Sequence, residues 1–153
     1  MDACQHQARV LIVQQRNMSR RKQKRATPAK NGAGRLIYIV DDEAMLLELA
    51  SLILQPLGYA IQTFRDPGRA LRSFTESQPR PTLLITDYSM HGMDGLSLID
   101  ACRQLEPQQK TLLISGTVGP EVSEQAQIKP DKFLAKPYQA KQLLEAVESL
   151  LPE

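Results

Sequence analysis

The sequence predicts a doubly wound α/β domain with a parallel sheet. Three observations carry this: short apolar runs recur along the chain, each is followed by a segment with helical periodicity, and four of the five runs end in a polar or charged residue. The first run, Leu36-Ile37-Tyr38-Ile39-Val40, is continuous and rich in branched residues, as a strand covered on both faces must be. Asp41-Asp42 follow it. Residues Glu43 to Leu57 carry apolar side chains at 46, 49, 50, 53, 54 and 57, a helical stripe closed by Gly58 as a C-terminal cap.

Tyr59 to Phe64 reads as a second strand and Pro67 to Ser77 as a second helix, with Pro67 in its first turn and Ala70, Leu71 and Phe74 facing inward. Leu83-Leu84-Ile85-Thr86 is the third strand and ends in Asp87. Gly95 to Leu105 is a helix with Leu98, Ile99, Cys102 and Leu105 on one side. Thr111 to Ile114 is the fourth strand, ending in Ser115-Gly116. A weak helix bounded by prolines spans Glu121 to Gln127, so helix 4 is expected to be short or irregular. Lys132 to Ala135 is a short fifth strand ending in Lys136-Pro137, and Gln139 to Leu151 is the last helix, striped at Ala140, Leu143, Leu144, Val147 and Leu150. Right-handed crossovers then place every strand end on one edge of the sheet.

Composition separates two regions. The chain has 153 residues, with 42% apolar and 24% charged side chains, enough for one domain with a sizeable core. Residues 1–35 hold nine Lys or Arg against a single acid, Asp2, a balance of +8. Residues 36–153 hold ten bases and sixteen acids, a balance of −6. The basic region contains Arg20-Arg21-Lys22-Gln23-Lys24-Arg25 and Asn31-Gly32-Ala33-Gly34. It cannot bury enough apolar surface to offset the entropy of ordering it, and is expected to be a disordered extension ending in a flexible linker. Met18 offers an alternative start that keeps the basic cluster. Clustered bases suit an acidic or nucleic-acid partner, but with no aromatic interleaving and no helix-turn-helix pattern, sequence-specific DNA reading is not expected.

No apolar run approaches the length of a membrane span, and no secretory signal pattern is present, so a soluble cytoplasmic protein without membrane contact is expected. Cys4 and Cys102 are too few for a disulfide framework or a zinc site, and Cys102 reads as a small buried hydrophobe.

In an open parallel sheet, ligands sit outside the carboxyl ends of the strands. There the fold brings Asp41, Asp42, Asp87, Ser115 and Lys136. Clustered carboxylates repel one another, and a divalent cation resolves the conflict. Oxygen donors without His or Cys favour Mg²⁺ or Mn²⁺. Lys136 suits a phosphate oxygen and Ser115 can donate to another, so the set reads as a phosphoryl site working by positioning and charge neutralisation. The chain has no GxxxxGK[ST] loop, which leaves nucleotide binding without support.

Over residues 36–153 these features resemble the receiver domain of two-component response regulators, the CheY-like family. The resemblance rests on Asp41-Asp42, Asp87, Ser115 and Lys136-Pro137 in order. It rests also on the loop Asp87-Tyr-Ser-Met-His-Gly-Met-Asp-Gly95, in which His91 stands where the family commonly has Pro. It implies a flavodoxin-like sheet of order 2-1-3-4-5 with five helices. It implies that Asp87 accepts a phosphoryl group from a sensor histidine kinase or phosphotransfer protein. Asp42, Asp87 and the main-chain carbonyl of Ser89 would ligate Mg²⁺, with Asp41 acting through water. Lys136 would pair with Asp87 and then with its phosphoryl group, Ser115 would move toward the phosphate, and Phe133 would hold the aromatic switch position. The Lys136–Pro137 bond is expected to be cis.

Each position also has a plainer reading: a helix N-cap for Asp41, a turn residue for Ser115, a core aromatic for Phe133, an exposed loop residue for His91, and loop packing for Met90 and Met93. The expected protein is a stand-alone phosphoacceptor, not an enzyme beyond self-phosphorylation and slow autodephosphorylation. It would relay phosphate or bind an unidentified downstream protein. The reduced helix 4 is more like receivers attached to hybrid histidine kinases, and puts a dimer through helix 4, strand 5 and helix 5 in doubt. Two rivals are a Mg²⁺-dependent phosphohydrolase with Asp87 as nucleophile, opposed by Ser89 standing where a general acid would, and a phosphorylation-independent pseudo-receiver, opposed by the intact acid, hydroxyl and ammonium set.

Overall fold

A computed structural model describes Gly32 and residues 34–153. The basic cluster, Cys4 and Met18 lie outside these residues. Five strands, β1 (Leu36–Val40), β2 (Ala60–Phe64), β3 (Leu83–Asp87), β4 (Lys110–Ser115) and β5 (Lys132–Ala135), form one parallel sheet of order β2-β1-β3-β4-β5. The helices are α1 (Ala44–Leu54), α2 (Pro67–Glu76), α3 (Gly95–Leu105), α4 (Pro120–Gln125) and α5 (Ala140–Leu150). The doubly wound architecture and the expected strand order are both present.

Strand alternation divides the core in two. Ile37, Ile39, Leu83, Ile85, Leu112 and Ile114 pack with Leu47, Ala50 and Leu54 of α1 and with Leu143, Ala146 and Val147 of α5. Tyr38, Val40, Leu84 and Leu113 face Ala70 and Phe74 of α2 and Leu98, Ile99 and Cys102 of α3. Cys102 is buried as expected, and burial pushes its thiol up to about 12, against a smaller opposing effect of Arg80. It is therefore an unreactive core residue.

The first helix differs from its sequence reading. It ends at Leu54, and Gln55–Leu57 tightens into a 3₁₀ turn closed by Gly58 at φ +88°. Pro56 explains the change, because it has no N–H to continue the α-helical ladder. Helix α4 is six residues long, as its prolines foretold. At the other end of the sheet Gly32 N–H donates to Leu57 O at 2.8 Å and Gly34 N–H to Gly58 O at 3.1 Å. The part of the glycine-rich stretch that is described is thus tied to the α1–β2 turn, where a free linker was expected.

Candidate functional site

The site is built on strand ends. Strand β3 is buried at every position, which fixes the backbone of Asp87 at its last residue. After β1, the Asp41 N–H donates to Phe64 O at 3.1 Å, and Arg65 Nε and Nη2 donate to Asp42 O at 3.2 and 3.1 Å. Asp41 does not cap α1 as a helix N-cap would. Glu43 holds the cap position, and Asp41 Oδ1 accepts its N–H at 2.9 Å. The loop after Asp87 is closed by the Gly95 N–H to Tyr88 O, 2.8 Å, and by Asp94, which caps α3 through the Ser97 N–H at 2.8 Å. Gly95 is required here because a Cβ would lie 2.3 Å from the Asp87 carbonyl oxygen.

Lys136 follows β5, its N–H donating to Ser115 O at 2.8 Å, and the Lys136–Pro137 bond is cis. Its Nζ lies 2.9 Å from Asp41 Oδ2 and 3.1 Å from Asp87 Oδ1. Asp42 stands beside them, and one carboxylate oxygen from each of Asp41, Asp42 and Asp87 lies within 4.8 Å of the others. Burial raises the Asp87 carboxyl above its ordinary value; hydrogen bonding and charge from Lys136 oppose this, while Asp41 and Asp42 add to it. For Lys136 burial works downward, yet the hydrogen bonds and charges of Asp41 and Asp87 together raise it. The pair is asymmetric: the ammonium gains from its neighbours, whereas Asp87 ionises against two other acids. A divalent cation fits this set, since it would neutralise carboxylates that one lysine leaves under-compensated.

The remaining expected residues are also located. Ser115 is buried, and its Oγ accepts the N–H groups of Thr117 and Val118 at 3.2 and 3.1 Å, so its turn role is visible. Ser89 lines the cavity beside Asp42, and its Oγ is 3.0 Å from Thr117 Oγ1. Phe133 is half-buried against the α2–α3 side of the core, three residues before Lys136. Met90 and Met93 pack against the same cluster. His91 is exposed as expected, but its Nδ1 lies 3.2 Å from Asp42 Oδ2, a contact that no local pattern marks. Arg65 and Thr117 were likewise missed. Arg65 follows β2 directly and Thr117 stands two residues past β4, but neither belongs to a motif, and their contacts with Asp42 and Ser89 lie 23 and 28 residues away in sequence.

Fold and site define a class: a doubly wound domain whose strand ends gather three acids, a hydroxyl and a lysine at one edge. The sequence profile of the response regulator receiver domain matches residues 37–148, and the chain belongs to that family, the receiver domains of two-component systems. It is 34% identical over 119 residues to the nitrogen assimilation regulatory protein NtrX of Azorhizobium caulinodans, covering 75% of this chain and 26% of NtrX. The chain spans about a quarter to a half of the length of the curated relatives it matches. Among solved structures, chemotaxis protein CheY4 of Vibrio cholerae superposes with a TM-score of 0.71 at 24% identity, over 78% of this chain and 100% of that one. The response regulator TrrA of Thermotoga maritima, solved in complex with Mg²⁺ and BeF, has a TM-score of 0.69 at 29% identity, over 76% of this chain and 99% of TrrA. No helix among the described residues is long and apolar enough to cross a membrane.

Proposed function

We propose that Asp87 is the phosphoacceptor of this receiver domain, charged by the phosphohistidine of a sensor histidine kinase or phosphotransfer protein in the cytoplasm. The observation that carries the reading is Lys136 Nζ, held between Asp41 and Asp87 with Asp42 alongside. A carboxylate oxygen of Asp87 attacks phosphorus, the P–N bond breaks, and its electron pair returns to the donor imidazole. Lys136, already 3.1 Å from Asp87 Oδ1, then pairs with the new phosphoryl oxygens.

Asp42, Asp87 and the Ser89 carbonyl would hold Mg²⁺ (or Mn²⁺), with Asp41 through water. The cation supplies neutralisation of charge on the transferring group. TrrA, solved with Mg²⁺ and BeF, supports this choice of ion. Ser115, whose Oγ accepts two turn N–H groups, would move toward the phosphate and donate its O–H to a phosphoryl oxygen. Phe133 would report the change to a protein partner. The chemistry on this reading is acceptance of the group and slow hydrolysis of the aspartyl phosphate.

The test is intact mass after incubation with Mg²⁺ and acetyl phosphate. Wild type gains one phosphoryl group and Asp87→Asn gains none. Labelling of Asp87→Asn to the same extent, or no labelling of wild type, would sink the assignment. Rapid turnover of many phosphoesters would replace it with a hydrolase.

A further inference from the structure

The three acids are not held alike. Asp41 gives one oxygen to the Glu43 N–H and the other to Lys136, both at 2.9 Å, and Asp87 has Lys136 at 3.1 Å. Asp42 is placed differently. Arg65 grips its main-chain carbonyl, while its carboxylate, more exposed than the other two, meets His91 Nδ1 at 3.2 Å through Oδ2. An ionised carboxylate only accepts hydrogen bonds, so Nδ1 carries the proton and donates it. The imidazole is fully exposed, so this bond, and not packing, sets where the ring lies. The ring is presented from a closed loop, since Gly95 N–H and the Asp94 cap secure the residues that follow it.

We propose that His91 is a positioning residue for the divalent cation: its Nδ1–H engages Oδ2 of Asp42 and holds the carboxylate in one orientation, leaving Oδ1 for the metal. The inference rests on the three acids being the metal site. Partners behind a ligand fix its orientation and raise affinity, because the ligand no longer has to be ordered when the ion binds. Asp41 and Asp87 are pre-ordered by Lys136. In this chain an imidazole does the same for the third acid, from a loop position where the family commonly has proline, which has no side-chain donor. The contact is solvent-exposed, so its effect is modest, about two- to five-fold in affinity.

Calorimetric titration of Mg²⁺ into the full chain tests this with wild type, Asp42→Asn, His91→Ala and His91→Asn. His91→Ala should bind Mg²⁺ about two- to five-fold more weakly and melt at the wild-type temperature without the ion. His91→Asn, whose amide N–H stands where Nδ1–H was, should recover most of the affinity. The Mg²⁺ concentration giving half-maximal labelling by acetyl phosphate should rise by the same factor in His91→Ala. Wild-type affinity in His91→Ala, no recovery in His91→Asn, or a lowered metal-free melting temperature would each overturn the inference while leaving the metal site intact. If wild type and Asp42→Asn are equally indifferent to Mg²⁺, the metal reading itself falls, and this inference with it.

Discussion

The interior of the sheet and its β5 flank are built by different means. Strand β3 is buried along its whole length, and its neighbours β1 and β4 are nearly so. Strand β5 is exposed at both ends and only half-buried between them, and the helix before it has six residues. Burial alone does not hold that flank. Arg103 reaches from α3 to Thr111 Oγ1 at 3.0 Å and Asp131 Oδ2 at 2.8 Å, and Asp131 in turn accepts the Thr111 N–H at 2.8 Å. Apolar burial places Asp41 and Asp87, whereas a polar clasp places the strand that delivers Lys136. The site therefore depends on both regions, and the weaker one brings the lysine ammonium that sits between Asp41 and Asp87.

The comparison is broken most directly at Lys136. Lys136→Met should lower the rate of acetyl phosphate labelling about 100-fold, as removal of one charged stabiliser of a transferring group does. Time-resolved intact mass measures it. A loss below ten-fold would mean that the interior acids work without the flank.

The two modes of construction also predict two kinds of damage. Ile85→Ala in the interior should cost about 3 kcal/mol through a cavity. Asp131→Ala should cost about 2 kcal/mol, because the N–H of buried Thr111 loses its acceptor and Arg103 its partner. Urea unfolding gives both values. Hydrogen exchange distinguishes them, since Asp131→Ala should expose the amides of β5 preferentially and Ile85→Ala should affect the sheet as a whole. Uniform exchange in Asp131→Ala would show that the clasp does not act on the flank.

What was legible in the sequence follows the same division. Leu36 to Val40, Leu83 to Thr86 and Thr111 to Ile114 announced themselves because burial on both faces demands continuous apolar runs. Asp41, Asp42, Asp87 and Ser115 were legible because they stand at the ends of such runs, and Lys136 because it follows the short fifth strand; parallel topology gathers strand ends. Arg103–Asp131 and His91–Asp42 join residues 28 and 49 apart. Single polar contacts of that span impose no periodicity and leave no local mark. The 3₁₀ turn at Gln55–Leu57 was hidden because the apolar stripe continues through Pro56, and the stripe, not the missing N–H, set the expected boundary.

The smallest expected effects are electrostatic and depend on pH. The Asp87 carboxyl is raised by burial first, then by Asp41 and Asp42, with Lys136 opposing. A raised carboxyl favours folding when protonated: its contribution is fully present below the unfolded value of 3.8 and is lost as pH rises through the folded value. Ionising Asp87 in the folded protein thus costs stability. Asp87→Asn removes that cost, so the metal-free variant should melt above wild type at neutral pH, with the gap narrowing as pH falls toward 3.8. Lys136 has the opposite sign. Burial lowers it, but Asp41 and Asp87 together raise it above 10.5, so its stabilisation is complete below 10.5 and lost as pH climbs through the folded value. Calorimetric melting across pH checks both limbs. Adding Mg²⁺ should narrow the neutral-pH gap, because the ion stabilises wild type by mass action and Asp87→Asn offers it one carboxylate fewer. A metal-free Asp87→Asn that melts below wild type at neutral pH would show that the Lys136 hydrogen bond outweighs the crowding of the acids. Asp87 would then be held in place by its ammonium, with no stored repulsion for a cation to relieve.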